Sequence, residues 1–258
     1  MTLKSPTTGD RTAEGHLRNG KTSVSNDHDE IDQVSTLSAE DLVRWAVDRY
    51  GDRIAMTTSF GIQAAVMLHM VTRIKPDISV IWVDTGYLHT ETYCYVKQLS
   101  KMLDLNLLTF QSNMSPAHME AVEGKLWESE ELSDLNRYDS IRKVEPLKRA
   151  LQELNVEAWL TGLRRDQTDH RVTLPRLEPK AGRVKVYPLL NWSSKDVYEY
   201  RVAHGLPHHP LFAKGYQTVG DWHSSRAMTD DDSHERDTRF GGLKQECGIH
   251  LSGDGEGI

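Results

Sequence analysis

Ile54-Ala55-Met56-Thr57-Thr58-Ser59-Phe60-Gly61-Ile62-Gln63 decides how the chain folds. A short run ends in hydroxyls and a glycine, and from Ile62 onward Ala65, Val66, Leu68, His69 and Val71 keep a helical period. The pattern predicts strand, turn, helix. The unit then recurs: Ile78 to Val83 is a near-continuous apolar run of the kind found in strands covered on both faces, Asp84-Thr85-Gly86 breaks it, and Glu91 to Leu103 has helical spacing. Leu107 to Phe110 reads as a third strand, Glu145 to Leu154 as a helix, Glu157 to Thr161 as a fourth strand ending at Gly162, and Val184 to Tyr187 as a fifth. Alternating strands and helices predict an α/β fold, a Rossmann-like parallel sheet with helices on both faces. Ligands bind such sheets beyond the carboxyl ends of the strands. The turns to inspect are therefore Thr58-Ser59-Phe60-Gly61, Asp84-Thr85-Gly86 and Thr161-Gly162-Leu163-Arg164-Arg165.

Ser38-Ala39-Glu40-Asp41 resembles a helix N-cap with acids in the first turn, so the folded domain is expected to begin near residue 36. Residues 1–35 contain no aromatic side chain and are rich in Ser, Thr, Gly, Asn and Asp, the composition of a mobile arm. Its acids argue against a transit peptide, no apolar segment for secretion is present, and a cytoplasmic location follows by default. Downstream, Ser193 caps a helix running to His204, with Gly205 and Pro207 as stops. The α/β domain is expected over 36–226. A mobile loop from Ala227 to Arg239 then leads into a glycine-flanked tail, which completes residues 227–258.

Of the 258 residues 38% are hydrophobic, 27% charged and 7% aromatic, as in an ordinary globular chain. No apolar run approaches the roughly 20 residues that span a bilayer, which argues against a membrane partner. The net charge of -7 argues against a general nucleic-acid binder. From Arg142 to Lys185, however, 11 Lys and Arg face 6 Asp and Glu, leaving +5 here and -12 elsewhere, which fits a small anionic ligand.

The first turn sets hydroxyls and a glycine before a helix N-terminus, where amides and the helix dipole favour an anion; it matches neither the Walker A nor the dinucleotide fingerprint. Asp84 stands where an acid either receives a ribose or caps the next helix, and Arg164 and Arg165 offer planar forks for phosphate or sulfate. The chain has two cysteines, too few for a disulfide framework or an all-cysteine metal site. Cys247 lies between Lys244 and His250, whose charges would stabilise a thiolate; Cys94, inside a predicted helix, is expected to be buried and structural. His208, His209 and His223 show no paired spacing of metal ligands, and no metal is expected.

Five motifs, in order along the chain, resemble the assimilatory phosphoadenylyl-sulfate reductases. They are Thr57-Thr58-Ser59-Phe60-Gly61-Ile62-Gln63-Ala64-Ala65, Val83-Asp84-Thr85-Gly86, Lys143-Val144-Glu145-Pro146-Leu147, Thr161-Gly162-Leu163-Arg164-Arg165-Asp166-Gln167 and Lys244-Gln245-Glu246-Cys247-Gly248-Ile249-His250. The resemblance covers about Ser38 to His250 and implies a PP-loop type of nucleotide-binding fold. The family forks: adenylyl-sulfate reductases carry a four-iron cluster on two cysteine pairs. Here those positions look like Asp139-Ser140 and, within Gly220 to Ser225, Asp221 and Ser224. The chain is therefore similar to the cluster-free branch.

That branch uses 3'-phosphoadenylyl sulfate (PAPS). The resemblance implies that Cys247 attacks the sulfur, leaving an S-sulfonate and adenosine 3',5'-bisphosphate, and that thioredoxin or glutaredoxin then releases sulfite. No flavin, nicotinamide or iron–sulfur cluster is implied, and a homodimer is. Ser59, Gly61, Asp84, Lys143, Gly162, Arg164, Arg239, Lys244 and His250 are implied as substrate-binding residues. The competing readings are a cluster-free adenylyl-sulfate reductase, an ATP-dependent adenylylating enzyme of the same fold, and a non-catalytic nucleotide sensor.

Overall fold

The structure, a computed structural model, describes residues 34–244. All but the end of the expected arm, and the tail with Cys247 and His250, lie outside the described residues. Six strands form one sheet: β1 (Ile54–Thr58), β2 (Ser79–Val83), β3 (Leu107–Phe110), β4 (Ala158–Leu160), β5 (Leu177–Lys180) and β6 (Arg183–Val186). Their order is β3-β2-β1-β4-β6-β5, and every neighbouring pair is parallel except β5 with β6. Met56 at the centre pairs with Val80 on one side and Leu160 on the other. Strand order reverses around β1 and β4, so the crevice for a ligand opens at their carboxyl ends.

The period-two alternation of the strands divides the core into two layers. Ile54, Met56, Val80 and Leu160 pack against α1 (Ala39–Tyr50), α2 (Ala64–Ile74) and α3 (Thr90–Leu103). Ala55, Ile81 and Trp159 face the other way, onto Leu147, Ala150 and Leu151 of α6 (Glu145–Glu153). The caps read from the sequence are present. Ser38 Oγ accepts from the Asp41 N–H at 3.0 Å, and Ser193 with Asp196 forms a reciprocal box that starts α7 (Ser194–Ala203).

Two expectations need correction, and one segment is new. Cys94 is exposed, because the helical spacing of the buried Thr92, Tyr95, Val96 and Leu99 turns position 94 to the outer face of α3. Strand β5 was not legible: it is four residues long, carries Pro179, and sits at the sheet edge, where the missing N–H of proline is tolerated. Residues 116–139, left unassigned above, hold α4 (Pro116–Glu123) and α5 (Leu132–Asp139). They build an apolar cluster of Tyr87, Met119, Trp127, Leu135, Tyr138 and Phe240 beside the β2 end. Between α5 and α6, Ser140–Val144 make one π-helical turn, which leaves both Arg142 and Lys143 buried. The charged stretch 227–239 is irregular but tethered: Asp232 accepts from Arg226 and from the Thr229 N–H, and Ser225 bridges to Arg239. Among the described residues no helix is long and apolar enough to cross a membrane.

Candidate active site

At the end of β1 the backbone makes a tight reversal. Phe60 takes a left-handed φ of +50°, an uncommon state for a bulky residue, and is fully buried edge-on to Trp82 with ring centroids 5.7 Å apart. Its N–H donates to Thr58 Oγ1 at 3.1 Å. Burying the phenyl ring sends Ser59 outward and leads Gly61 straight into α2. Thr57, Thr58, Ser59 and Gly61 consequently line a cavity of about 270 Å³. Gly162, after β4, forms the opposite lip, and a Cβ there would meet Met67 of α2 at 3.4 Å.

Six cations line the cavity, Lys143, Arg164, Arg171, Arg236, Arg239 and Lys244, against the single carboxylate Asp221. Such a wall selects a polyanion. Arg164 is buried and held by Asp166 at 2.8 Å and Ser194 at 3.2 Å, which fixes its fork at the β4 end. Arg239 is buried to 8% exposure, and its guanidinium makes no hydrogen bond or ion pair with another described residue. It lies across the backbone of Gly220, where a Cβ would come within 2.0 Å of Nη1, so only glycine leaves room for it. An unpaired arginine in a cavity wall is poised for an anionic group.

Lys143 sits between two carboxylates, 2.9 Å from Asp139 Oδ1 and 2.9 Å from Asp221 Oδ2. Asp139 Oδ2 also receives Lys244 Nζ at 2.6 Å, and Asp221 accepts from the Thr85 hydroxyl. Burial raises both carboxyl groups, but the neighbouring ammoniums more than offset it and hold both below the usual range. Beside them His223 stacks on Trp127 and bonds the Tyr138 hydroxyl at 3.0 Å; burial pushes it down to about 4. Asp139 and Asp221 are the positions at which the resemblance would place cluster cysteines. Two carboxylates closed onto a shared ammonium do not fit a thiolate-held cluster.

Several expected roles fall elsewhere. Asp84 does not line the cavity, because its carboxylate accepts from Gly86 N–H, Tyr93 OH and Gln111 Nε2 at 2.7–2.9 Å. The basic span is largely consumed by the scaffold. Arg142 holds the Thr85 carbonyl, Arg176 the carbonyls of Val34 and Pro188, and Arg183 that of Val156. Three members of the span, Lys143, Arg164 and Arg171, do reach the cavity, whose other cations, Arg236, Arg239 and Lys244, come from beyond it; the sequence does not single out Arg171 or Arg236. His209 bonds Thr92 at 3.1 Å and caps the Leu211 N–H, and His208 stacks on Phe212. No cluster of three or more His, Cys, Asp or Glu suited to a metal occurs among the described residues. Cys247 and His250 lie outside them, but Lys244, three residues before Cys247, is part of the cavity wall.

Comparison with known proteins agrees with this geometry. The phosphoadenosine phosphosulfate reductase domain family matches residues 53–227. A phosphoadenosine 5'-phosphosulfate reductase of Synechococcus sp. is 57% identical over 219 residues, 85% of this chain and 94% of its own. One from Erwinia tasmaniensis is 49% identical, over 84% of this chain and 89% of its own. The crystal structure of phosphoadenylyl-sulfate reductase from Candida auris in its phosphate complex superposes with a TM-score of 0.69 at 31% identity, covering 79% of this chain and 98% of that one. An FMN adenylyltransferase of Candida glabrata, at 12% identity and TM-score 0.54, shares the fold alone; it covers 76% of this chain and 67% of its own. The α/β sheet, the cation-lined crevice at its switch point and these matches over most of the sequence place the chain in the phosphoadenosine phosphosulfate reductase family.

Proposed function

We propose that the cavity binds 3'-phosphoadenylyl sulfate and that Cys247 reduces it to sulfite in assimilatory sulfate reduction. The observation that carries the reading is the wall of six cations against one carboxylate at the β1/β4 switch point, with the residue three before Cys247 in that wall. Ser59 and the Gly61 turn hold phosphate or sulfate oxygens, while Lys143, Arg164 and Arg239 offset the charge that builds on the leaving phosphate. The Cys247 thiolate attacks the sulfonate sulfur. An S–S bond forms, the S–O bond to phosphate breaks, and adenosine 3',5'-bisphosphate leaves with the electron pair. A thioredoxin or glutaredoxin thiolate then attacks Cys247 Sγ and expels sulfite. Its second thiol closes a disulfide and returns Cys247 as a thiol, so the dithiol supplies both electrons.

This scheme needs no flavin, nicotinamide or metal of the chain's own, and its partners are the nucleotide and the redoxin. The test is sulfite release on the two sulfonucleotides with each redoxin as donor. Turnover is expected to favour the 3'-phosphorylated nucleotide and to vanish in Cys247→Ser. A clear preference for adenylyl sulfate would overturn the substrate assignment, and full activity of Cys247→Ser would overturn the mechanism.

A further inference from the structure

The charged groups around Lys143 form a continuous chain. It starts at the Thr85 hydroxyl, in the turn after β2, and passes through Asp221, Lys143 and Asp139 to Lys244, whose Nζ also donates to Asn136 Oδ1 at 2.7 Å. Two carboxylates and two ammoniums alternate, so the buried charge balances. The inner members are as buried as core residues: Asp139 and Asp221 are 1% exposed, Lys143 and Lys244 8%. A surface pair of this kind would do little. In the interior, losing one member leaves its partner uncompensated, and the surviving geometry is strongly specified.

The mechanism above uses Lys143 but gives no task to Asp139, Asp221 or Asn136. We propose that Asp139 and Asp221 are positioning residues that lock Lys244 to the floor of the cavity and so set the origin from which the cysteine reaches the substrate. The proposal rests on the function assigned to Cys247. Cys247 is three residues beyond Lys244, a span of at most about 11 Å even fully extended. Where Lys244 is held therefore limits where the sulfur can act. Lys143 follows Asp139 by four residues, one helical turn, and so closes onto it while α5 presents Asn136 and Asp139 to Lys244. Misplacing a reacting group by an ångström can cost about 100-fold in rate.

Two readouts test this, one of them independent of the reaction. In single turnover without redoxin, Asp139→Asn is expected to form the Cys247 S-sulfonate about 10- to 100-fold more slowly, with affinity for adenosine 3',5'-bisphosphate within about threefold of the parent. Asn136→Ala, at an exposed position that does not threaten folding, should slow it about threefold. Lys244→Arg, which keeps the ion pair, should stay far closer to the parent rate than Lys244→Gln. Limited trypsin digestion supplies the second readout. Cleavage after Lys244 is slow in the parent and accelerates at least about fivefold in Asp139→Asn and Asn136→Ala, while cleavage at core arginines does not. Unchanged cleavage after Lys244, or equal losses of rate and nucleotide affinity in Asp139→Asn, would overturn the proposal. A parent enzyme that forms no sulfonate would instead refute the function assigned to Cys247, and the trypsin result would still decide whether the lock exists.

Discussion

The turns after β1 and β2 begin alike, as polar residues and a glycine at the end of a buried strand, and the structure uses them in opposite ways. After β1, the buried Phe60 ring takes up the strain, and Ser59 and Gly61 are left facing the cavity. After β2, the side-chain polar groups are taken up by the protein itself, although Thr85 borders the cavity. The Asp84 carboxylate accepts three hydrogen bonds, Arg142 grips the Thr85 carbonyl, and the Thr85 hydroxyl is committed to Asp221. The first turn is a binding surface and the second a foundation. What separates them is whether partners elsewhere in the chain reach the polar groups first: Gln111, Tyr93 and Arg142 do so at β2.

If that contrast is right, substitutions at the two turns separate stability from binding. Asp84→Ala removes the acceptor shared by the Gly86 N–H, Tyr93 hydroxyl and Gln111 amide. Water can reach the exposed Tyr93 and Gln111, so the change should cost about 2 kcal/mol of stability, seen in denaturant unfolding, while nucleotide affinity of the folded fraction changes little. A large loss of affinity at unchanged stability would return Asp84 to the substrate. Arg239→Ala should do the reverse. Affinity for adenosine 3',5'-bisphosphate falls about 100-fold by calorimetry, with little change in melting temperature, because its guanidinium makes no hydrogen bond or ion pair with a described residue and only a distant contact, 6.0 Å, with the Phe240 ring. Ser59→Ala acts in the same sense but more weakly, by about 10-fold, as expected for one hydroxyl contact to an anion.

The smallest effect lies on the foundation side and depends on pH. Burial of His223 lowers it from 6.5 to about 4, so the folded state carries this ring neutral where the unfolded chain would protonate it. Its contribution is complete above pH 6.5 and is lost as pH falls toward 4. After allowing for the solvent that reaches its edge, the loss is about 1 kcal/mol. His223→Gln should flatten the fall in stability between pH 6.5 and 4 without altering nucleotide affinity at pH 7. A steeper fall, or lost affinity, would place His223 in the binding region.

The same contrast explains what the sequence could reveal. Strands with long apolar runs, such as Ile78 to Val83, and helices with caps, such as those at Ser38 and Ser193, are specified by neighbours in the chain and were legible. The antiparallel edge strand around Pro179 and the Cys94 exposure depend on which face meets the rest of the molecule. Within the site, Ser59, Gly61, Gly162, Arg164, Arg239, Lys143 and Lys244 were all singled out and all line one cavity. The basic span misled in part, because charge counted along a chain does not tell a cation facing a ligand from one neutralising buried carbonyls, as Arg142, Arg176 and Arg183 do. Asp139 at four residues before Lys143 carried the spacing of a helical ion pair, whereas nothing local in the sequence joins either residue to Asp221 or Lys244.

The account turns on one sulfur acting on a nucleotide held in this crevice. Intact-mass measurement of reduced protein mixed with 3'-phosphoadenylyl sulfate, without any redoxin, tests it most directly. The expected result is a single added sulfonate on Cys247, absent in Cys247→Ser, strongly reduced in Arg239→Ala and removed by reduced thioredoxin. An unmodified protein that nonetheless releases sulfite once thioredoxin is added would contradict it, because the redoxin thiol would then be attacking the bound nucleotide itself.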